Sequence, residues 1–123
     1  MLVLSNHKNN KGGLLRVLDL DVLSFTPKRM FWVEGVPKLE KRGGHGHYKE
    51  KQQLICVKGK ILVNLYSNSG TEEYVLEAGD SCFMDNLVWA EQTYLTGDDI
   101  LLVICSELHN EEDYFYDKGQ IYE

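Results

Sequence analysis

Lys41-Arg42-Gly43-Gly44-His45-Gly46-His47 leads into Gln52-Gln53-Leu54-Ile55-Cys56-Val57, and this junction decides how the chain is read. If residues 45–47 are extended, both imidazoles project from one face, about 6–7 Å apart along the strand. Two rings that titrate near pH ~6.5 then line one pocket wall, with Arg42 in reach of the same mouth. The run that follows is rich in β-branched residues, as a strand should be. Glycines at 43, 44 and 46 remove side-chain bulk beside the pair, which marks close approach of a ligand or of another backbone.

Working outward, the same pattern recurs. Short apolar runs at 14–20, 29–36, 52–57, 60–66, 71–76, 80–84, 88–95 and 99–105 alternate with turn signals. Lys58-Gly59, Asn68-Ser69-Gly70, Glu77-Ala78-Gly79-Asp80 and Thr96-Gly97-Asp98 are those signals. Strand-length runs at this spacing predict an all-β sandwich or barrel. No segment before residue 106 sustains a helical period. The tail, 107–123, is acidic and carries Tyr114, Tyr116 and Tyr122. It reads as a surface extension with one helical turn, packing aromatics onto the barrel.

With 123 residues the chain is long enough for one domain with a real core and too short for two. Residues 1–123 are therefore read as a single domain. A net charge of −6, with no Lys/Arg-rich run to offset it, argues against nucleic acid as a partner. Cys56, Cys82 and Cys105 each sit in an apolar run, and their odd number with no C-x-x-C spacing predicts buried free thiols in a reducing compartment. Met1-Leu2-Val3-Leu4-Ser5-Asn6-His7 turns polar too early for a signal peptide. No apolar stretch reaches the ~20 residues a membrane helix needs. The expectation is a cytoplasmic protein with no membrane partner.

From Gly44 onward the spacing resembles the first motif of cupins, small double-stranded β-helix (jelly-roll) barrels. In a metal-binding cupin a carboxylate would stand at or beside position 52, where this chain has Lys51 and Gln52. The second motif would place a further histidine where Ala90 stands, and its usual Pro and Gly are Asp85 and Leu87. A first-row metal in such a barrel needs about three histidines and a carboxylate, or a facial triad. Neither is complete, so no metal and no other cofactor is expected, and His45 and His47 are left for acid–base work.

The same residues resemble the sugar 3,4-ketoisomerase family, WxcM-like cupins acting on nucleotide-linked, usually dTDP-linked, 4-keto-6-deoxyhexoses in deoxysugar biosynthesis. Arg42-Gly43-Gly44-His45-Gly46-His47 followed by Gln52 is similar to the family's Arg-Gly-x-His-Ala-His-x-x-x-x-Gln. Lys11-Gly12-Gly13-Leu14, Lys28-Arg29-Met30-Phe31-Trp32, Val88-Trp89-Ala90-Glu91 and Glu111-Glu112-Asp113-Tyr114 resemble further family elements in the right order. Three positions depart: Phe31 stands where a substrate-facing tyrosine is expected, Ala90 replaces a histidine, and Lys11 replaces an arginine. A different sugar or a different product stereochemistry is consistent with those changes.

The resemblance implies an isomerase that moves a ketone from C4 to C3 through an enediol. That step needs a base near neutrality and a stabiliser for the enolate oxygen. His47 is expected to abstract and return the carbon proton and His45 to handle the oxygens, although the sequence barely separates the two roles. Arg42 and Arg29 are expected on the diphosphate and sugar oxygens, Gln52 on a hydroxyl or on His47, Trp89 over the pocket, and Glu91 orienting a histidine. The plainer alternatives are a surface strand charge for Arg29, a hydrogen bond inside the barrel for Gln52, a core ring for Trp89 and a surface carboxylate for Glu91.

Competing readings stay open: a non-catalytic nucleotide-sugar-binding cupin, a metal-dependent cupin using His45, His47 and Glu50, and a 3,5-epimerase with Tyr66 or Tyr94 as its acid. A homodimer is expected, with the strand near residues 14–20 a candidate for exchange between subunits.

Overall fold

The computed structural model describes residues 4–8 and 10–118. Its regular elements are strands and two short 3-10 turns. The strands are β1 (Ser5–Lys8), β2 (Leu14–Val17), β3 (Arg29–Val33), β4 (Lys41–His47), β5 (Gln52–Lys58), β6 (Lys60–Ser67), β7 (Gly70–Glu77), β8 (Ser81–Met84), β9 (Trp89–Tyr94), β10 (Ile100–Cys105) and β11 (Tyr114–Phe115). They form a four-stranded sheet in the order β3-β10-β5-β8, a five-stranded sheet in the order β11-β4-β9-β6-β7, and a separate β1-β2 hairpin. All pairings are antiparallel, giving the expected jelly-roll barrel.

The inner faces of the two larger sheets make the main core. Leu54 and Cys56 of β5, Ile61, Val63 and Leu65 of β6, Ala90 and Tyr94 of β9, and Leu101, Val103 and Cys105 of β10 meet there at the period of two that a strand imposes. The continuous apolar run at 52–57 has a separate cause. Ile55 and Ile104 point out of the barrel, yet they are covered by Leu4 and Leu23, with Leu18, Phe25 and Leu102 packed alongside. The N-terminal segment thus roofs the outer face of the four-stranded sheet, and both faces of β5 are buried. Cys56, Cys82 and Cys105 are free and buried, and burial pushes each thiol up to about 12.

Three elements differ from expectation. The run at 14–20 stops as a strand at Val17 and turns through a 3-10 segment, Leu20–Val22, as Leu18 and Leu23 are drawn onto the roof cluster. β1 escaped the pattern because all four of its residues are exposed, so no alternation marks it. The tail is more than a surface extension. After a 3-10 turn, Glu111–Asp113, capped by the Asn110 side chain, β11 joins the edge of β4 and buries Phe115. Residues 119–123, with Tyr122, lie outside the described residues, as do Met1, Leu2 and Val3 of the N-terminal reading. Among the described residues no helix is long and apolar enough to cross a membrane.

Candidate active site

A cavity of about 300 Å³ opens between the two large sheets. Its floor is apolar: Phe31, Leu54, Met84, Ala90, Leu101 and Val103. Its polar wall is Arg42, His45, Gln52, Gln92 and Tyr114. An apolar pocket with a few convergent polar groups is the usual form of a small-molecule site.

A bulge creates the mouth. Arg42 and His45 are three residues apart, so a regular strand would aim them at opposite faces. Gly43 (φ 91°) and Gly44 (φ 73°) both take backbone conformations that other residues resist, and the register of β4 against β9 shifts between Gly43 and His45. The extra residue brings Arg42 round to the cavity with His45. Gly46 has a packing cause instead: a Cβ there would lie 2.3 Å from the Val88 carbonyl oxygen and 2.4 Å from the Phe115 ring.

The two histidines share a face, as their spacing requires, with ring centroids 5.0 Å apart and edge to face. They are not equivalent. His45 lines the cavity and stacks flat on Tyr114, centroids 4.6 Å apart and planes within 3°. His47 is 1% exposed and stands behind it, outside the cavity wall. The cause is the tail: Tyr114 pairs with His47 across the β4–β11 ladder and lays its ring against it, centroids 4.6 Å apart. Burial lowers the pKa of His45, opposed by its hydrogen bond with the Gly43 backbone. His47 is driven down to about 4, first by burial and then by His45, with Asp113 opposing. Both rings are therefore neutral at pH 7.

Behind His47 lies Glu50, 2% exposed. Its carboxylate meets three groups: Arg29 Nη1 at 3.2 Å, His47 Nε2 at 3.3 Å, and Gln52 Nε2, which donates a 2.7 Å hydrogen bond. Asp113 fixes the backbone here, accepting from the N–H groups of Lys49 (2.9 Å) and Glu50 (3.1 Å). Burial raises the pKa of Glu50, while Gln52 and Arg29 pull it back. A buried carboxylate held by a guanidinium and an amide is a paired charge, the form in which burial is tolerated.

Other expected site residues fall elsewhere. Arg29 is off the cavity wall, engaged with Glu50 and donating to the Glu107 carbonyl at 3.4 Å. Trp89 and Glu91 are not among the residues that line the cavity. On β9 the alternation turns Ala90 and Gln92 inward, so Trp89 and Glu91 face out. Trp89 packs on Phe115 and Tyr66 and donates Nε1–H to the Tyr116 carbonyl at 3.0 Å, and Glu91 pairs with Lys41 at 3.5 Å. The 3,5-epimerase acids are also misplaced: Tyr66 belongs to that outer cluster, and Tyr94 is fully buried in the main core. Among the described residues no group of three or more His, Cys, Asp or Glu side chains is arranged to hold a metal, and Glu50 is turned to Arg29 and Gln52.

Sequence reasoning missed Gln92, Tyr114 and the Glu50 cluster as parts of the site. Gln92 was within reach, being two residues on from Ala90 in one strand. Tyr114 was not, because its place depends on a two-residue pairing between the tail and β4.

Comparison with known proteins adds four findings. The family model described as FdtA, WxcM-like, C-terminal, matches residues 1–123. A TDP-4-oxo-6-deoxy-alpha-D-glucose-3,4-oxoisomerase of Aneurinibacillus thermoaerophilus is 26% identical over 117 residues, 93% of this chain and 84% of that protein. The crystal structure of QdtA, a sugar 3,4-ketoisomerase from Thermoanaerobacterium thermosaccharolyticum in complex with TDP, superposes with a TM-score of 0.87 at 26% identity, covering 98% of this chain and 88% of that one. A histidine variant of the same enzyme, solved with TDP-4-keto-6-deoxyglucose, matches with a TM-score of 0.87 at 25% identity, over 98% and 88% of the two chains.

Proposed function

This chain belongs to the FdtA family of WxcM-like proteins, and on that premise we propose that it is a sugar 3,4-ketoisomerase acting on a TDP-linked 4-keto-6-deoxyhexose. The observation that carries the reading is a neutral His45 on the wall of a sugar-sized cavity with an apolar floor and Arg42 at its mouth.

The chemistry follows from those groups. His45 takes the C3 proton, the C–H electron pair becomes the C3–C4 double bond, and the carbonyl electrons move onto O4. O4 is protonated, O3–H gives up its proton, and the double-bond electrons take a proton back at C4. One proton has moved between carbons and one between oxygens, and no oxidant is consumed. A neutral imidazole is the form a base must have at pH 7. Tyr114, whose pKa burial raises, stays protonated and is assigned the hydrogen bond to the developing enolate oxygen. Arg42 is assigned the diphosphate, as a planar donor fork suits. Gln52, with its Nε2 committed to Glu50, offers its Oε1 to a sugar hydroxyl. Position thus favours His45 over His47 as the group that meets the carbon acid.

The whole chain is taken as one cytoplasmic domain that works as a homodimer. Supporting the dimer are Met30 and Trp32, on the outer face of edge strand β3 and 58% and 59% exposed. Leu15 and Leu20 of the N-terminal segment are also exposed, and a groove of about 320 Å³ beside them is lined by Leu18, Met30 and Leu102. Apolar exposure of this kind marks an association surface.

Incubation with TDP-4-keto-6-deoxyglucose, followed by carbon NMR, tests the activity. The carbonyl resonance should move from C4 to C3, and His45→Asn should lower the rate by roughly 10²-fold or more while TDP still binds by calorimetry. Binding without carbonyl movement in the parent protein would select the non-catalytic reading.

A further inference from the structure

Glu50 takes no direct part in the reaction, because it does not line the cavity. It is nonetheless the point on which the rear of the site converges. Arg29 of β3, His47 of β4 and Gln52 of β5 all reach its two carboxylate oxygens, within 3.2, 3.3 and 2.7 Å. Its backbone is pinned from a fourth direction by Asp113. Cys105 stands beside Gln52, the two joined by an Nε2–Sγ contact of 3.9 Å, and Glu107 also bears on the carboxylate electrostatically. The carboxylate that faces His47 Nε2 is therefore fixed in place by arginine, amide and backbone together.

His47 needs such a fix. It is fully buried, and neither ring nitrogen makes a well-aligned hydrogen bond within the described residues. The nearest polar atom recorded for either nitrogen is Glu50 Oε2, facing Nε2. A carboxylate accepts and cannot donate, so the ring gains by carrying its proton on Nε2 and leaving Nδ1 bare. A neutral imidazole without that neighbour would exchange tautomers and offer His45 an inconstant dipole.

We propose that Glu50 is a positioning residue: its carboxylate, clamped by Arg29, locks His47 in the Nε2–H tautomer, and through His47 and Gln52 it sets the two groups of the cavity wall, His45 and the Gln52 amide. This rests on the ketoisomerase reading for its kinetic consequence and on geometry alone for the tautomer. When His45 takes up a proton, the oriented ring of His47 and the fixed carboxylate behind it oppose the cost of a new positive charge in a buried site.

Nitrogen NMR of the ring-labelled protein at pH 7 tests the tautomer first, without substrate or variant. His47 should show a protonated Nε2 and a bare Nδ1; the opposite tautomer in the parent protein would overturn the proposal. In Glu50→Gln the His47 pattern should average or invert, kcat on TDP-4-keto-6-deoxyglucose should fall roughly tenfold or more, as loss of an orienting partner typically does, and KM should stay within about twofold. A merely structural carboxylate would lower Tm and leave the ring spectrum and kcat of the folded protein as they were, which would also overturn it. If the parent protein shows no turnover while the tautomer still responds to Glu50→Gln, the reaction reading falls and the positioning stands.

Discussion

His47 ties the stability of the barrel to pH. Its folded pKa lies near 4, below the 6.5 of an unperturbed ring, so the unfolded chain binds the proton more readily. The stability this conceals is complete above pH 6.5 and is lost as pH falls through the interval down to 4. The drop from 6.5 to about 4 corresponds to about 3 kcal/mol. Glu50 acts in the opposite sense: a raised carboxyl contributes stability at low pH that fades as pH rises through its folded value. Denaturant unfolding of the parent protein and of His47→Gln, followed from pH 7 to 4, separates the two. The variant should lose stability less steeply below pH 6.5; equal slopes would mean that His47 is not buried as a neutral ring. At this scale the sequence was informative where spacing alone decides. The shared face of His45 and His47 was legible, whereas the burial of one and the exposure of the other to the cavity needed Tyr114, a residue 67 positions beyond His47.

The tail strand β11 is the smallest element and the one on which the cavity wall most depends. Phe115, 3% exposed, seats it against Gly46 and Trp89, and Tyr114 then covers His47 and backs His45. Removing a buried phenylalanine ring costs about 3–5 kcal/mol. Phe115→Ala should lower Tm by several degrees and, well below that temperature, reduce kcat/KM by detaching Tyr114 from His45. Undiminished kcat/KM in the folded variant would show that the wall survives without the tail. Elements that carry an apolar run were readable: β5, β6, β8, β9 and β10 fall within a few residues of theirs. Those without such a run were not. β1 is exposed throughout, β4 is nearly half glycine, and β11 is two residues long. The bulge at Gly43 and Gly44, which gives Arg42 its direction, leaves no mark on the sequence beyond the glycines themselves.

Across the whole molecule the two faces of the four-stranded sheet divide the work. The inner face supplies the apolar floor of the cavity, and the outer face is roofed by the N-terminal segment up to the point where Met30 and Trp32 emerge. A dimer that covers those side chains also protects edge strand β3. Trp32→Glu should shift the protein from dimer to monomer in sedimentation velocity; a parent protein that already sediments as a monomer would contradict the assembly.

His45, in the barrel interior, is assigned the movement of hydrogen between adjacent sugar carbons. Exchange in heavy water reads that step itself. With TDP-4-keto-6-deoxyglucose, the parent protein should place deuterium at the carbon that receives the returning proton, and His45→Asn should reduce that incorporation at least roughly 10²-fold. Incorporation that continues at the parent rate in His45→Asn would rule His45 out as the group that moves the carbon proton.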